Sequence, residues 1–298
     1  MLDVLVFFLF MVAAGYALRR TGLARPETAK DLNHVVFNLT LPPLIFLALH
    51  RATLSPDMLA LPAIAWGITL VALALGLLLT RALRLPRSLG GAMVLALTFG
   101  NTTFLGYPII QGFYGAEHLT LAIFYDLLGT TLAVNTLGVA VASSLGGEPA
   151  RIGQMARRLL LFPPIWALVL GLALHGVALP PVVETLLGRL GDLTTPLIML
   201  SLGLTLQFRH WRQNLGLVGR IASVRLAVLP ALVLVATRLL GLPPAYQQAA
   251  VMQAAMPTMF FAMTLALIFG LESTLVVNAI MVTTLLGFVT LPIWHALL

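Results

Sequence analysis

The sequence predicts an all-α polytopic membrane protein: ten transmembrane helices as two inverted five-helix repeats, with broken fourth and ninth helices. Three observations predict it. Of 298 residues, 60% are hydrophobic and 9% charged, and mean hydropathy is +1.01; a soluble domain carries about a quarter charged residues. Apolar runs of spanning length recur between charged or Pro/Gly-rich turns. Two of these runs, one per half, are interrupted by glycine and proline at matching places. Paired interruptions of this kind point to a transporter's midplane binding site.

The runs fall at residues 2–20, 31–50, 58–80, 88–113 and 118–144, then 159–178, 181–207, 214–240, 245–270 and 273–297. Most hold about 20 apolar residues, enough to cross roughly 30 Å of hydrocarbon. They lack the apolar/polar alternation of barrel strands. In segment 1, Asp3 precedes the apolar run while Arg19 and Arg20 follow it. That order is the reverse of a secretory signal, so the run reads as a retained first helix with its N-terminus outside.

Charge between the segments sets orientation. Arg19, Arg20, Arg25 and Lys30 follow segment 1, and Arg81, Arg84 and Arg87 follow segment 3. Arg151, Arg157 and Arg158 follow segment 5, and Arg209, Arg212 and Arg220 follow segment 7. These loops share one side and hold 13 of the 17 Lys and Arg residues, which makes that side cytoplasmic and puts both termini outside. Because five is odd, the second half enters the membrane in the opposite sense. The expected parts are a first repeat at 1–145, a cytoplasmic connection at 146–158 and a second repeat at 159–298. The net charge of +7 is spread over these loops and forms no patch suited to nucleic acid.

The repeat also shows in short motifs. Leu85-Pro86 and Leu242-Pro243 precede the interrupted segments, and Tyr114-Gly115-Ala116-Glu117 and Phe269-Gly270-Leu271-Glu272 end them. In segments 2 and 7, Asn38-Leu39-Thr40-Leu41-Pro42 aligns with Asp192-Leu193-Thr194-Thr195-Pro196.

Residues with chemistry to offer gather at the interruptions. Gly100, Asn101, Thr102, Thr103, Gly106 and Pro108 lie within nine positions of segment 4. Glycine permits positive φ, proline removes a donor, and the amide and hydroxyls can bind a polar ligand. Segment 9 contributes Pro257 and Thr258, with Gln253 one turn earlier. The bland alternative is a pair of proline-kinked helices whose polar groups bond their neighbours. Thr40, from the matched stretch of segment 2, completes the candidate binding set. Asp126 and Asp192 are candidate coupling-ion groups, because a carboxylate within a membrane segment is functional by default. Arg189 or Arg225 could instead pair with them structurally. Asn135 and Asn278 read as interhelical hydrogen bonders.

Enzyme chemistry has little support. The chain has no cysteine, and it lacks HExxH, GxSxG and Walker A patterns. Its six histidines are scattered singly, so neither a metal site nor a cofactor is expected.

The chain resembles the auxin efflux carrier family, which includes the plant PIN proteins and many bacterial carriers of organic acids. The resemblance rests on Leu32-Asn33-His34 through Pro42-Pro43 and on Asn101-Thr102 with Gly106-x-Pro108. It extends to Pro196 through Ser201-Leu202-Gly203 and to Ala254-Ala255-Met256-Pro257. It implies a scaffold of helices 1, 2, 6 and 7, and a transport domain of helices 3–5 and 8–10 that moves like an elevator. It further implies that helices 4 and 9 cross at their breaks, with a carboxylate substrate near that crossing, and Asn101 matches the family's substrate-site asparagine. Gly100 stands where plant members have proline, and Phe162-Pro163 where many relatives have Asn-Pro. The long cytoplasmic loop of plant relatives is absent.

The expected function is therefore secondary active transport of a small organic anion, such as a mono- or dicarboxylate, across the cytoplasmic membrane. Proton and sodium are the candidate coupling ions, and a homodimer the candidate assembly. A cation–proton exchanger or a sodium-coupled symporter on the same architecture is one alternative. A channel or sensor without a transport cycle is another.

Overall fold

The computed structural model describes residues 2–25, 27–149, 152–206 and 213–298. Arg151, Arg209, His210 and Arg212, used above to read topology and metal chemistry, lie outside the described residues. Every regular element among the described residues is helical. In chain order they are α1 (Leu2–Arg20), α2 (Thr28–His50), α3 (Pro56–Ala82), α4 (Arg87–Thr98), α5 (Gly106–Tyr114), α6 (Ala116–Leu145) and α7 (Ile152–Leu160). There follow α8 (Pro163–Ala173), α9 (Pro181–Asp192), α10 (Thr194–Thr205), α11 (Leu215–Leu239), α12 (Pro244–Ala254), α13 (Phe260–Ile268) and α14 (Ser273–Leu297). Five of these, α2, α3, α6, α11 and α14, are long and apolar enough to cross a membrane.

Segments 4 and 9 are interrupted as expected, giving α4/α5 and α12/α13. Two further segments differ from the expectation of continuous helices. In segment 6 the chain turns extended at Phe162, and Pro163 and Pro164 begin α8, because proline supplies no N–H and suits a helix start. Segment 7 divides into α9 and α10 around Leu193. Pro196 cannot donate to the carbonyl four residues back, which weakens the ladder there.

The backbone repeats itself around both interruptions. Arg84 and Gly241 both have positive φ, 51° and 63°. The next residues donate back alike, Leu85 N–H to Thr80 O and Leu242 N–H to Thr237 O, each at 3.1 Å. Pro86 (φ −55°, ψ 149°) and Pro243 (φ −56°, ψ 150°) then lead into α4 and α12. At the far ends Gly115 and Gly270 again share positive φ, 91° and 68°.

The chain forms two compact units. The first comprises Met1–Ser55, Tyr107–Thr120 and Ala156–Leu206. In it α1 packs on α10 through two glycines, since a Cβ on Gly15 would meet the Leu200 carbonyl and one on Gly203 the Val12 carbonyl. Small residues let membrane helices approach this closely. Arg51 and Glu184 form an ion pair at 2.6 Å, and Ser201 donates to Asn33 Oδ1 at 2.6 Å.

The second unit comprises Pro56–Gly106, Leu121–Met155 and Gln207–Leu298. Its centre is α4, buried continuously from Gly90 to Thr98. Residues of α3, α6, α11, α13 and α14 join it in one apolar core. Many large apolar side chains face outward, among them Leu70, Leu78, Val235 and Val289. An apolar exterior over an apolar core suits a protein solvated by lipid.

Candidate binding site at the paired interruptions

Breaking a helix strands carbonyls that water would satisfy elsewhere, so the site can be built by following each one. After α4 the chain runs extended through Phe99 and Gly100, and after α12 through Pro257, Thr258 and Met259. The two stretches pair antiparallel, with Gly100 opposite Thr258. Asn101 N–H donates to Pro257 O at 2.7 Å, and Met259 N–H to Phe99 O at 3.0 Å. Thr258 Oγ1 donates to Ala96 O at 2.8 Å, while its own N–H reaches Thr283 Oγ1 at 3.1 Å.

Arg225 takes four more of these carbonyls. Its guanidinium donates through Nε to Met256 O (2.8 Å), through Nη1 to Thr98 O (2.9 Å) and Leu97 O (3.4 Å), and through Nη2 to Ala254 O (3.3 Å). It thus sits against the C-terminal ends of both α4 and α12, where helix dipoles favour a cation. A Cβ on Gly100 would collide with Nη2. In this chain the glycine makes room for the guanidinium, which gives Gly100 a steric purpose beyond loosening the break.

Past the pairing, Asn101 shapes the entry into α5. Its Oδ1 accepts from Phe104 N–H at 3.3 Å and its carbonyl accepts from Leu105 and Gly106 N–H. Asn101 is 2% exposed, and its side-chain Nδ2 has no partner. Nearby, Gln253 donates through Nε2 to Ala122 O at 3.1 Å, and its buried Oε1 likewise has no partner. A Cβ on Gly106 would strike that oxygen.

Asp126 is fully buried and accepts three hydroxyl bonds, from Thr102 (2.7 Å), Thr103 (2.6 Å) and Thr131 (3.1 Å). It ties α6 to the turn ahead of α5. A cavity of about 10 Å³, room for a single water, is lined by Thr98, Thr102, Tyr125, Thr130 and Arg225.

The second unit therefore brings together Gly100, Asn101, Thr102, Asp126, Pro257 and Thr258. Thr40, Pro108 and Asp192 belong to the first unit. Thr40 and Thr194, which occupies the same place in the matching sequence stretch, are both buried with unpartnered hydroxyls. Pro108 lies in the first turn of α5, where its missing N–H costs nothing. Asp192 is exposed and makes no ion pair with Arg189, so that structural partnership is absent. Nor does Arg225 pair with an acid: backbone carbonyls take its donors. Asn135 bonds Thr131 O within its own helix, whereas Asn278 reaches across to Gln213 O.

The significance of Arg225 was missed in the sequence. The signal was present, since a lone arginine in an apolar run carries the same default of function as a carboxylate.

Comparison with known proteins bears on the whole chain. A family model described as membrane transport protein matches residues 1–295. An uncharacterized transporter of Methanothermobacter thermautotrophicus is 36% identical over 293 residues, 97% of this chain and 96% of that protein. One from Methanocaldococcus jannaschii is 30% identical over 305 residues, covering 98% and 97%. A protein of Rhizobium meliloti named as a putative malonate transporter is 25% identical over 295 residues, covering 95% and 91%. Matched from end to end, the chain belongs to the auxin efflux carrier family of membrane transport proteins.

Proposed function

We propose that this transporter carries a small organic anion, a mono- or dicarboxylate, by secondary active transport. The observation that carries the reading is the side-chain amide of Asn101. At paired interruptions where Arg225 and the facing stretch take most of the freed carbonyls, this buried Nδ2 is left with no acceptor, and a carboxylate oxygen is the acceptor it fits. Leaving a buried donor unmade costs about 1–3 kcal/mol, which a bound carboxylate would recover. The Rhizobium relative, by its name a malonate transporter, makes malonate the first substrate to try.

We assign helices 1, 2, 6 and 7 as scaffold and helices 3–5 and 8–10 as the moving part, in ten spans arranged as two inverted repeats. The matched backbone at Arg84–Pro86 and Gly241–Pro243 supports the repeat. The site assignment is Gly100, Asn101, Thr102, Pro257 and Thr258 in the second unit, and Thr40 and Pro108 are candidates within the first. Asp126 and Asp192 remain the candidate coupling groups.

The test is uptake and counterflow of labelled malonate and other carboxylates in proteoliposomes, with Asn101→Ala beside the wild type. The variant should stay folded and bind its substrate roughly tenfold or more weakly, the equivalent of 1.4 kcal/mol. A well-folded Asn101→Ala with unchanged affinity would remove Asn101 from the site. A panel in which no carboxylate is carried would overturn the substrate class.

A further inference from the structure

Arg225 is a buried cation whose described partners are neutral carbonyls. An unpaired charge inside a membrane protein is expensive, so what stabilises it tells what the site prefers. Four of its five N–H groups are spent on Leu97, Thr98, Ala254 and Met256 carbonyls, and it makes no ion pair. These carbonyls belong to the ends of two interrupted helices, each presenting the negative end of its dipole. Unwound carbonyls and half-helix C-termini are also the ligands with which discontinuous membrane helices coordinate a coupling cation.

Arg225 reaches them from α11, where a single π-helical turn, Val224–Val228, carries it. Gly100 admits the guanidinium by having no side chain. The guanidinium is covalently part of the chain, so this cation does not exchange with ions from solution.

We propose that Arg225 is a resident cation. Its guanidinium occupies the position that an alkali ion would take among the carbonyls of the paired interruptions, so that this place requires no bound sodium. It is a positioning residue: it holds the two breaks in the geometry that presents Asn101, and touches no substrate itself. Removing it should convert the carbonyl cluster into a site for a small exchangeable cation.

The experiment uses the full-length protein in lipid nanodiscs, with thermal unfolding followed in choline, sodium, lithium or potassium chloride. Millimolar guanidinium or methylguanidinium is added in parallel. The wild type should show no saturable shift in Tm with any of these cations. Arg225→Ala should have a lowered Tm in choline that rises saturably with guanidinium, and to a lesser degree with an alkali cation. Arg225→Lys keeps the charge without the planar fork and should be intermediate and unresponsive.

Gly100→Ala should lower Tm in the wild type and cost less in the Arg225→Lys background, where the colliding guanidinium is gone. Saturable stabilisation of the wild type by sodium would overturn the proposal. So would an Arg225→Ala protein as stable as wild type, or one that neither guanidinium nor an alkali cation restores. If Arg225→Ala yields no folded protein, the sodium titration of the wild type and the Gly100→Ala comparison decide. Malonate counterflow in the same variants depends on the substrate reading above. The Tm measurements do not, so the two can fail separately.

Discussion

Asn101 commits three of its four polar groups to the backbone and leaves its amide Nδ2 without a partner. Asp126 is the opposite case, a carboxylate held by three hydroxyls. Asp126→Asn keeps the shape but replaces one acceptor oxygen with a donor, so the threonine hydroxyl facing it must accept instead of donate and a charge-assisted bond is lost. We expect it to cost about 1–3 kcal/mol of stability, read as a lowered Tm. If Asp126 carries a coupling proton, gradient-driven uptake by this variant should collapse while counterflow persists. Uptake that keeps its pH dependence would make the carboxylate a fastening. Asn101 was legible because an asparagine between Gly100 and Thr102 stands out in an apolar run. The three hydroxyls on Asp126 were not, since Thr131 follows five residues later on the same helix and only the π-helical geometry there turns it toward the carboxylate.

That geometry recurs. Single π-helical turns occur at Val36–Thr40, Asp126–Thr130, Val134–Gly138 and Val224–Val228, and they carry Thr40, Asp126, Asn135 and Arg225. π-bulges cluster at functional sites because the extra residue rotates a side chain off the helix's regular face and frees a carbonyl. Two carbonyls within these turns accept from tryptophan: Trp66 Nε1 donates to Leu128 O at 3.0 Å, and Trp294 Nε1 to Leu226 O at 2.8 Å. Trp66→Phe and Trp294→Phe keep most of the apolar surface and remove the donor. Each should lower stability by about 1–2 kcal/mol in thermal unfolding. Unchanged Tm in both would show that the carbonyls find other donors. None of this was readable beforehand, because a π turn has no equivalent of the Gly/Pro punctuation that exposed the breaks at 100–108 and 257. In segment 7 the punctuation existed at Pro196, but the break was not drawn from it.

Over the whole molecule, hydropathy placed the apolar segments, and the motifs Leu85-Pro86 and Leu242-Pro243 marked positions where the backbone does repeat. The repeat makes an unusual stability prediction. Arg84 holds a left-handed φ of 51° where its counterpart is Gly241 at 63°. A left-handed conformation costs an L-residue about 1–2 kcal/mol, part of which the greater freedom of glycine in the unfolded chain would take back. Arg84→Gly should therefore stabilise by about 0.5–1 kcal/mol, and Gly241→Ala should destabilise by about 1 kcal/mol or slightly more. Opposite Tm shifts at the two positions would check it. The division of segment 6 was hidden because the apolar run continues across Phe162-Pro163-Pro164, and hydropathy alone does not see a missing N–H.

The two indole hydrogen bonds also make the protein its own optical probe. The chain has four tryptophans. With Trp166 and Trp211 changed to phenylalanine, all remaining indole emission would come from Trp66 and Trp294. Both rings sit on the carbonyls of π turns, one beside Asp126 and the other beside Arg225. Any step that winds or unwinds either turn must break an indole hydrogen bond, and indole emission shifts when that bond is lost. Substrate addition can then be followed in unlabelled protein, in real time.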